Sequence, residues 1–143
     1  MKFLDKDTLP DTDSRIRHTD DIPEVNLGDR EDVQPTLRMR PVDELLGLEQ
    51  MAAKLWYFDP GDEITFHAHP EEEELYYVVQ GEFSLKLGDP EEPTYATAGA
   101  GTFFAAGPYE PHGHRCVGDE PGVILAIGAP GDAGDAVLDP HEL

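Results

Sequence analysis

His67 and His69 are separated by one residue in the stretch Glu63-Ile64-Thr65-Phe66-His67-Ala68-His69, which Pro70 closes. On an extended strand that spacing sends both imidazoles to one face, roughly 6.5 Å apart along the chain, so both can converge on a single cation. The acidic run Glu71 to Glu74 makes the turn, and Leu75 to Gln80 returns as an antiparallel neighbour that brings a carboxylate beside the pair. A further imidazole, His112, follows the stiff loop Gly107-Pro108-Tyr109-Glu110-Pro111. Three imidazoles and one carboxylate form a borderline N/O donor set, which suits Fe, Mn, Ni, Cu or Zn better than Mg or Ca.

Other side chains enter by strand parity. His114 alternates in phase with His112 and Cys116, which makes it a candidate catalytic acid or base facing the same pocket. Tyr76 is in phase with Glu74 and is a second candidate catalytic residue lining the cavity. Cys116 has no basic neighbour to lower its pKa and reads as a small buried filler. Glu71 to Glu73 read as a solvated turn, Tyr77, Phe103 and Phe104 as packing, and His18 and His141 as solvated surface.

These residues need strands to hold them. Short apolar or alternating runs predict strands at Val33–Arg40, Met51–Phe58, Glu63–His69, Leu75–Gln80, Glu82–Leu87, Thr94–Ala98, Thr102–Ala106, His112–Val117 and Val123–Ile127. Asp59-Pro60-Gly61-Asp62, Gly81, Gly88-Asp89-Pro90, Gly99–Gly101 and Gly118–Gly122 supply the turns. Many short strands at this spacing predict an antiparallel sandwich or barrel of the jelly-roll kind. Only Val42 to Gln50 suggests a helical turn, and Gly47 interrupts it. The expected organisation is an acidic N-terminal arm over 1–32, with a candidate edge strand at Ser14–His18, a β-barrel over 33–128 and a tail over 129–143.

The spacing Gly61-x5-His67-x-His69-x4-Glu74-x6-Gly81 resembles the first motif of the cupin superfamily, specifically its small single-domain members. Gly101 and His112 fit the second motif, in which Gly107, Tyr109 and Cys116 stand where Pro, Gly and Asn are usual. The resemblance runs from about Val33 to Ile127. It implies a double-stranded β-helix, a divalent metal held by His67, His69, Glu74 and His112, and a homodimer. The count forward from His69 admits either Glu73 or Glu74. The count back from Gly81 selects Glu74, and strand parity groups it with Tyr76 and Val78.

The chain has 143 residues, enough for one domain whose core needs no disulfide, and it holds one cysteine. Asp and Glu number 31 against 10 Lys and Arg, a net charge of −21. Such self-repulsion is largely screened at about 1 M salt, where the Debye length is roughly 3 Å, so a halophilic host is expected. A basic face for nucleic acid cannot be assembled from this composition. No apolar run approaches a membrane span or a leader peptide, which leaves a cytoplasmic protein as the expectation. The function expected is a metal-dependent enzyme acting on a small organic molecule, with dioxygenase-type chemistry ahead of isomerase-type or decarboxylase chemistry. The alternative is a non-catalytic small-ligand-binding module on the same scaffold.

Overall fold

Each alternating run between the Gly- and Pro-bearing turns has one apolar face to bury, and the chain satisfies them by folding into two sheets that close on a shared core. The computed structural model describes residues 3–4, 15–27, 36–131 and 137. After a 3₁₀ turn at Thr19–Asp21 come β1 (Val25–Asn26), β2 (Arg38–Pro41), α1 (Val42–Leu46), β3 (Ala52–Phe58), β4 (Glu63–His67) and β5 (Glu73–Gln80). They are followed by β6 (Glu82–Leu87), β7 (Thr94–Gly99), β8 (Phe103–Ala106), β9 (His112–Val117) and β10 (Gly122–Ala129). One sheet has the order β1-β2-β3-β10-β5-β8 and the other β4-β9-β6-β7, with antiparallel pairing throughout. The fold is an all-β double-stranded β-helix.

Phe58, Val78, Phe83, Leu85 and Ile124 fill the space between the sheets, and Leu37 and Met39 close one flank. Gly81 carries the chain from β5 in the first sheet to β6 in the second. Its φ is 86°, and a Cβ there would lie 2.8 Å from the Cα of Gly122, so only glycine fits the corner.

Several elements differ from the sequence-based expectation. Arg15–His18 form no strand; the short edge strand is β1, paired with Arg38 and Met39. Burial is the cause: Leu27 beside β1 is 5 % exposed, whereas Ile16 is 86 % exposed. Ser14 and Val33–Pro35 lie outside the described residues. The strand expected to reach His69 ends at His67, while the helical turn stops at Gly47, the residue expected to interrupt it. Val137 lies against the barrel, where it exchanges backbone hydrogen bonds of 3.0 and 2.7 Å with Ala68.

Phe3 and Leu4 are held by a buried charge cluster absent from the sequence expectation. Lys54 Nζ lies 2.7 Å from Asp43 and 3.7 Å from Glu44, and the Glu44 carboxylate accepts the backbone N–H groups of Phe3 and Leu4 at 3.0 and 3.1 Å. One ammonium and these two donors offset two carboxylates that would be costly to bury alone.

Candidate metal centre

The register of the smaller sheet pairs His67, the last residue of β4, with His112, the first of β9, so their rings meet with centroids 4.3 Å apart. Opposite them β5 opens with Glu73 and turns Glu74 inward. Its cross-strand neighbours are Ala106 and Gly128, which leave room for a carboxylate. His69 enters from the turn beyond β4, held by a 2.8 Å hydrogen bond from Tyr109 N–H to its carbonyl. One ligand atom from each of His67, His69, Glu74 and His112 lies within 4.8 Å of all the others.

The hydrogen bonds fix which ring nitrogens face inward. His67 Nδ1 donates to the Thr65 carbonyl at 2.7 Å and His112 Nδ1 to the Glu110 carbonyl at 2.9 Å, which leaves both Nε2 atoms turned to the centre. His69 Nε2 is 3.2 Å from His67 Nε2 and 3.0 Å from Glu74 Oε1, while His112 Nε2 is 3.1 Å from the same oxygen. Lone-pair nitrogens and a carboxylate oxygen this close need protons or a cation among them. Burial first, then the neighbouring His112, lowers the His67 pKa to about 4, so this imidazole is neutral and can serve as a ligand at pH 7. Burial by itself would raise Glu74, but its contacts with His112 and His69 outweigh that and hold the carboxyl below the usual carboxylate range. Two imidazoles oriented by their Nδ1 hydrogen bonds, a third imidazole and an ionised carboxylate fit a borderline divalent ion.

Around this quartet stand residues of different kinds. Tyr76 is 4 % exposed, its hydroxyl 3.0 Å from His112 Nε2 and in hydrogen-bond reach of Glu74. Burial and the Glu74 charge push its pKa well above the usual value, so it stays a phenol that donates. His114 faces inward one step deeper, among the rings of Phe58, Tyr76, Phe83 and Phe104, and burial lowers its pKa to about 3. It is thus neutral, and its Nδ1 has no hydrogen-bond partner among the described residues. Cys116 is buried, with a thiol pKa raised by that burial.

Sequence reasoning missed Glu72. Its carboxylate is 3.9 Å from His69 Nε2, its side chain is 13 % exposed, and burial followed by the charge of Glu74 raises its pKa to about 7. It lies over Gly128, where a Cβ would come within 2.6 Å of the Glu72 carboxyl carbon. The alternation that selects Glu74 also selects Glu72, two residues earlier, while Glu71 and Glu73 are exposed. Phe103, expected to pack, is 66 % exposed on the outside of the larger sheet; Phe104 faces inward and stacks on Tyr76 at 4.6 Å.

Comparison with known proteins agrees with the fold. A glucose-6-phosphate isomerase of Thermococcus kodakarensis is 38 % identical over 82 residues, 57 % of this chain, which covers only 41 % of that protein. A Klebsiella pneumoniae protein with a double-stranded β-helix domain aligns with a TM-score of 0.57 and 30 % identity, over 64 % of this chain and 76 % of its own. Oxalate decarboxylase of Bacillus subtilis, a protein with Mn(II) centres, shares the fold at a TM-score of 0.60 and 22 % identity, over 71 % of this chain and 27 % of its own. The cupin domain family matches residues 54–128, the stretch that runs from the middle of β3 through every member of the quartet into β10, and the chain belongs to that family.

Proposed function

We propose that this protein is a metal-dependent isomerase-type enzyme in which His67, His69, Glu74 and His112 hold one divalent transition ion and a small organic molecule binds beside it. The convergence of four ligand atoms within 4.8 Å, two of them oriented by backbone carbonyls, carries this reading. When bound, the ion supplies Lewis-acid polarisation of a substrate carbonyl. Four protein ligands leave about two of six positions for substrate. His67 and His112 are kept in one tautomer by their Nδ1 hydrogen bonds, Glu74 balances part of the ionic charge, and Tyr76 steadies Glu74 and His112. Glu72, at the rim beside His69, is placed to carry a proton between neighbouring substrate atoms.

The 38 % identity to a glucose-6-phosphate isomerase favours this branch over the dioxygenase one. The decisive test incubates protein loaded with Mn, Fe, Ni or Zn with glucose 6-phosphate, fructose 6-phosphate and their unphosphorylated sugars in D2O, with an oxygen electrode in parallel. Deuterium entering the carbon beside the carbonyl without oxygen uptake is expected. Oxygen consumption would move the assignment to a dioxygenase, and neither signal with any metal would reduce the protein to a binding module. The proposed setting is the cytoplasm of a salt-rich host, supported by the net charge of −21. Among the described residues no helix is long and apolar enough to cross a membrane.

A further inference from the structure

The ladder between β4 and β9 ends at the pair His67–His112, so the hydrogen bonds of the smaller sheet fix two of the imidazoles and stop short of the third. His69 stands two residues farther on, in the turn that leads to the acidic run. Between the two ligands of this segment lies Ala68, 0 % exposed, whose backbone N–H and C=O are out of reach of water and need partners within the protein. Val137 supplies both. The Ala68 N–H donates to the Val137 carbonyl at 3.0 Å and the Val137 N–H donates to the Ala68 carbonyl at 2.7 Å, an antiparallel bridge between segments remote in sequence. At the next residue the Tyr109 N–H donates to the His69 carbonyl at 2.8 Å.

We propose that Val137 is a positioning residue of the metal centre, whose backbone bridge to Ala68 sets His69 at ligand distance from the rest of the quartet. The inference rests on the reading of His67, His69, Glu74 and His112 as one centre. His67 and His112 are constrained without Val137, by their strand pairing and by the Nδ1 hydrogen bonds to Thr65 and Glu110. His69 lies past the end of its strand, and strand ends without partners open locally at little cost. Its Nε2 must nevertheless keep 3.2 Å to His67 Nε2 and 3.0 Å to Glu74 Oε1, and a binding constellation works only when its members are held to roughly 0.5 Å. The bridge at Ala68 and the Tyr109 bond at His69 are the two backbone contacts that give this precision. Because the bridge is made by backbone atoms alone, the side chain at 137 carries no sign of it in the sequence.

Calorimetric titration of Mn or Zn into the apoprotein in about 2 M KCl tests the proposal, with thermal melts of the same apoproteins alongside. Val137→Pro removes the N–H that donates to Ala68 and is expected to weaken metal binding by about tenfold, the lower end of the loss seen for partners that orient a ligand. Val137→Ala keeps that N–H and should bind as the wild type does. Since the bridge acts through His69, Val137→Pro should cost no further affinity in a His69→Ala background, whereas a general loosening of the barrel would cost as much there as in the wild type. Should the proline disturb folding, which the melts report, a chain ended at Gly131 lacks Val137 altogether and is expected to show the same tenfold loss. Folded Val137→Pro and shortened chains that bind as tightly as the wild type would overturn the proposal. So would a Val137→Ala as weak as Val137→Pro, or an equal loss in the His69→Ala background. A wild type that binds neither metal would instead remove the centre itself, and the positioning role with it.

Discussion

Glu72, Glu73 and Glu74 are chemically identical and differ only in where the strand sends them. Glu74 points at His69 and His112 from 3.0 and 3.1 Å, Glu72 reaches the rim at 3.9 Å from His69, and Glu73 is exposed. Removing charge at each should therefore have graded effects on metal affinity. Glu74→Gln replaces an anionic ligand by a neutral amide and is expected to weaken binding by about 100-fold or more, a loss larger than the range typical of outer partners of a metal. Glu72→Gln should cost about tenfold or less, and Glu73→Gln should leave affinity unchanged. Calorimetric titration of Mn or Zn into the three variants at fixed high salt reads these values, and a greater loss at Glu73 than at Glu74 would show the β5 register to be off by one residue.

At the scale of the elements, the loop between β8 and β9 sets where His112 and His69 stand. Tyr109 holds it with φ 62°, in the left-handed region that β-carbon crowding disfavours, at the motif position where glycine is usual. Its ring is 60 % exposed and adds little packing in return. Tyr109→Gly should therefore stabilise the fold by about 1 kcal/mol, the left-handed strain exceeding the added freedom of the unfolded chain, and Tyr109→Val should destabilise it. Urea melts decide both signs. The same loop shows what could be read in advance. Alternation and turn residues were enough to place β3 to β10 to within a few residues, because both follow from the pleat; two-residue spacing put His67 and His69 on one element, and the motif resemblance added Glu74 and His112. The ends were less legible. Ile16 and Val25 have similar side chains, and only the barrel decides which is useful. Glu72 looked like solvated turn because its burial is created by Gly128, which is distant in sequence. The Lys54–Asp43–Glu44 cluster and the return of Val137 to Ala68 likewise depend on contacts between remote segments.

For the whole molecule, a net charge of −21 opposes compactness, and salt relieves it. The thermal midpoint should climb as KCl is raised from about 0.1 to 3 M, steeply at first as the Debye length falls from about 10 Å to 3 Å; a flat or falling midpoint would remove the argument for a salt-rich host. The candidate metal centre spans both sheets, since His67 and His112 come from the smaller one and Glu74 from the larger. An ion held there must stabilise the folded chain by mass action, about 2.7 kcal/mol at a hundredfold excess over its dissociation constant. The most direct test of the centre is therefore the thermal midpoint in about 2 M KCl with and without Mn or Zn, for the wild type and for His67→Ala, His69→Ala and His112→Ala. The wild type should rise by roughly 8 °C at that excess and each variant by far less. A wild type that does not respond to any of the metals, or three variants that respond as fully as the wild type does, would contradict the assignment of the ion to these residues.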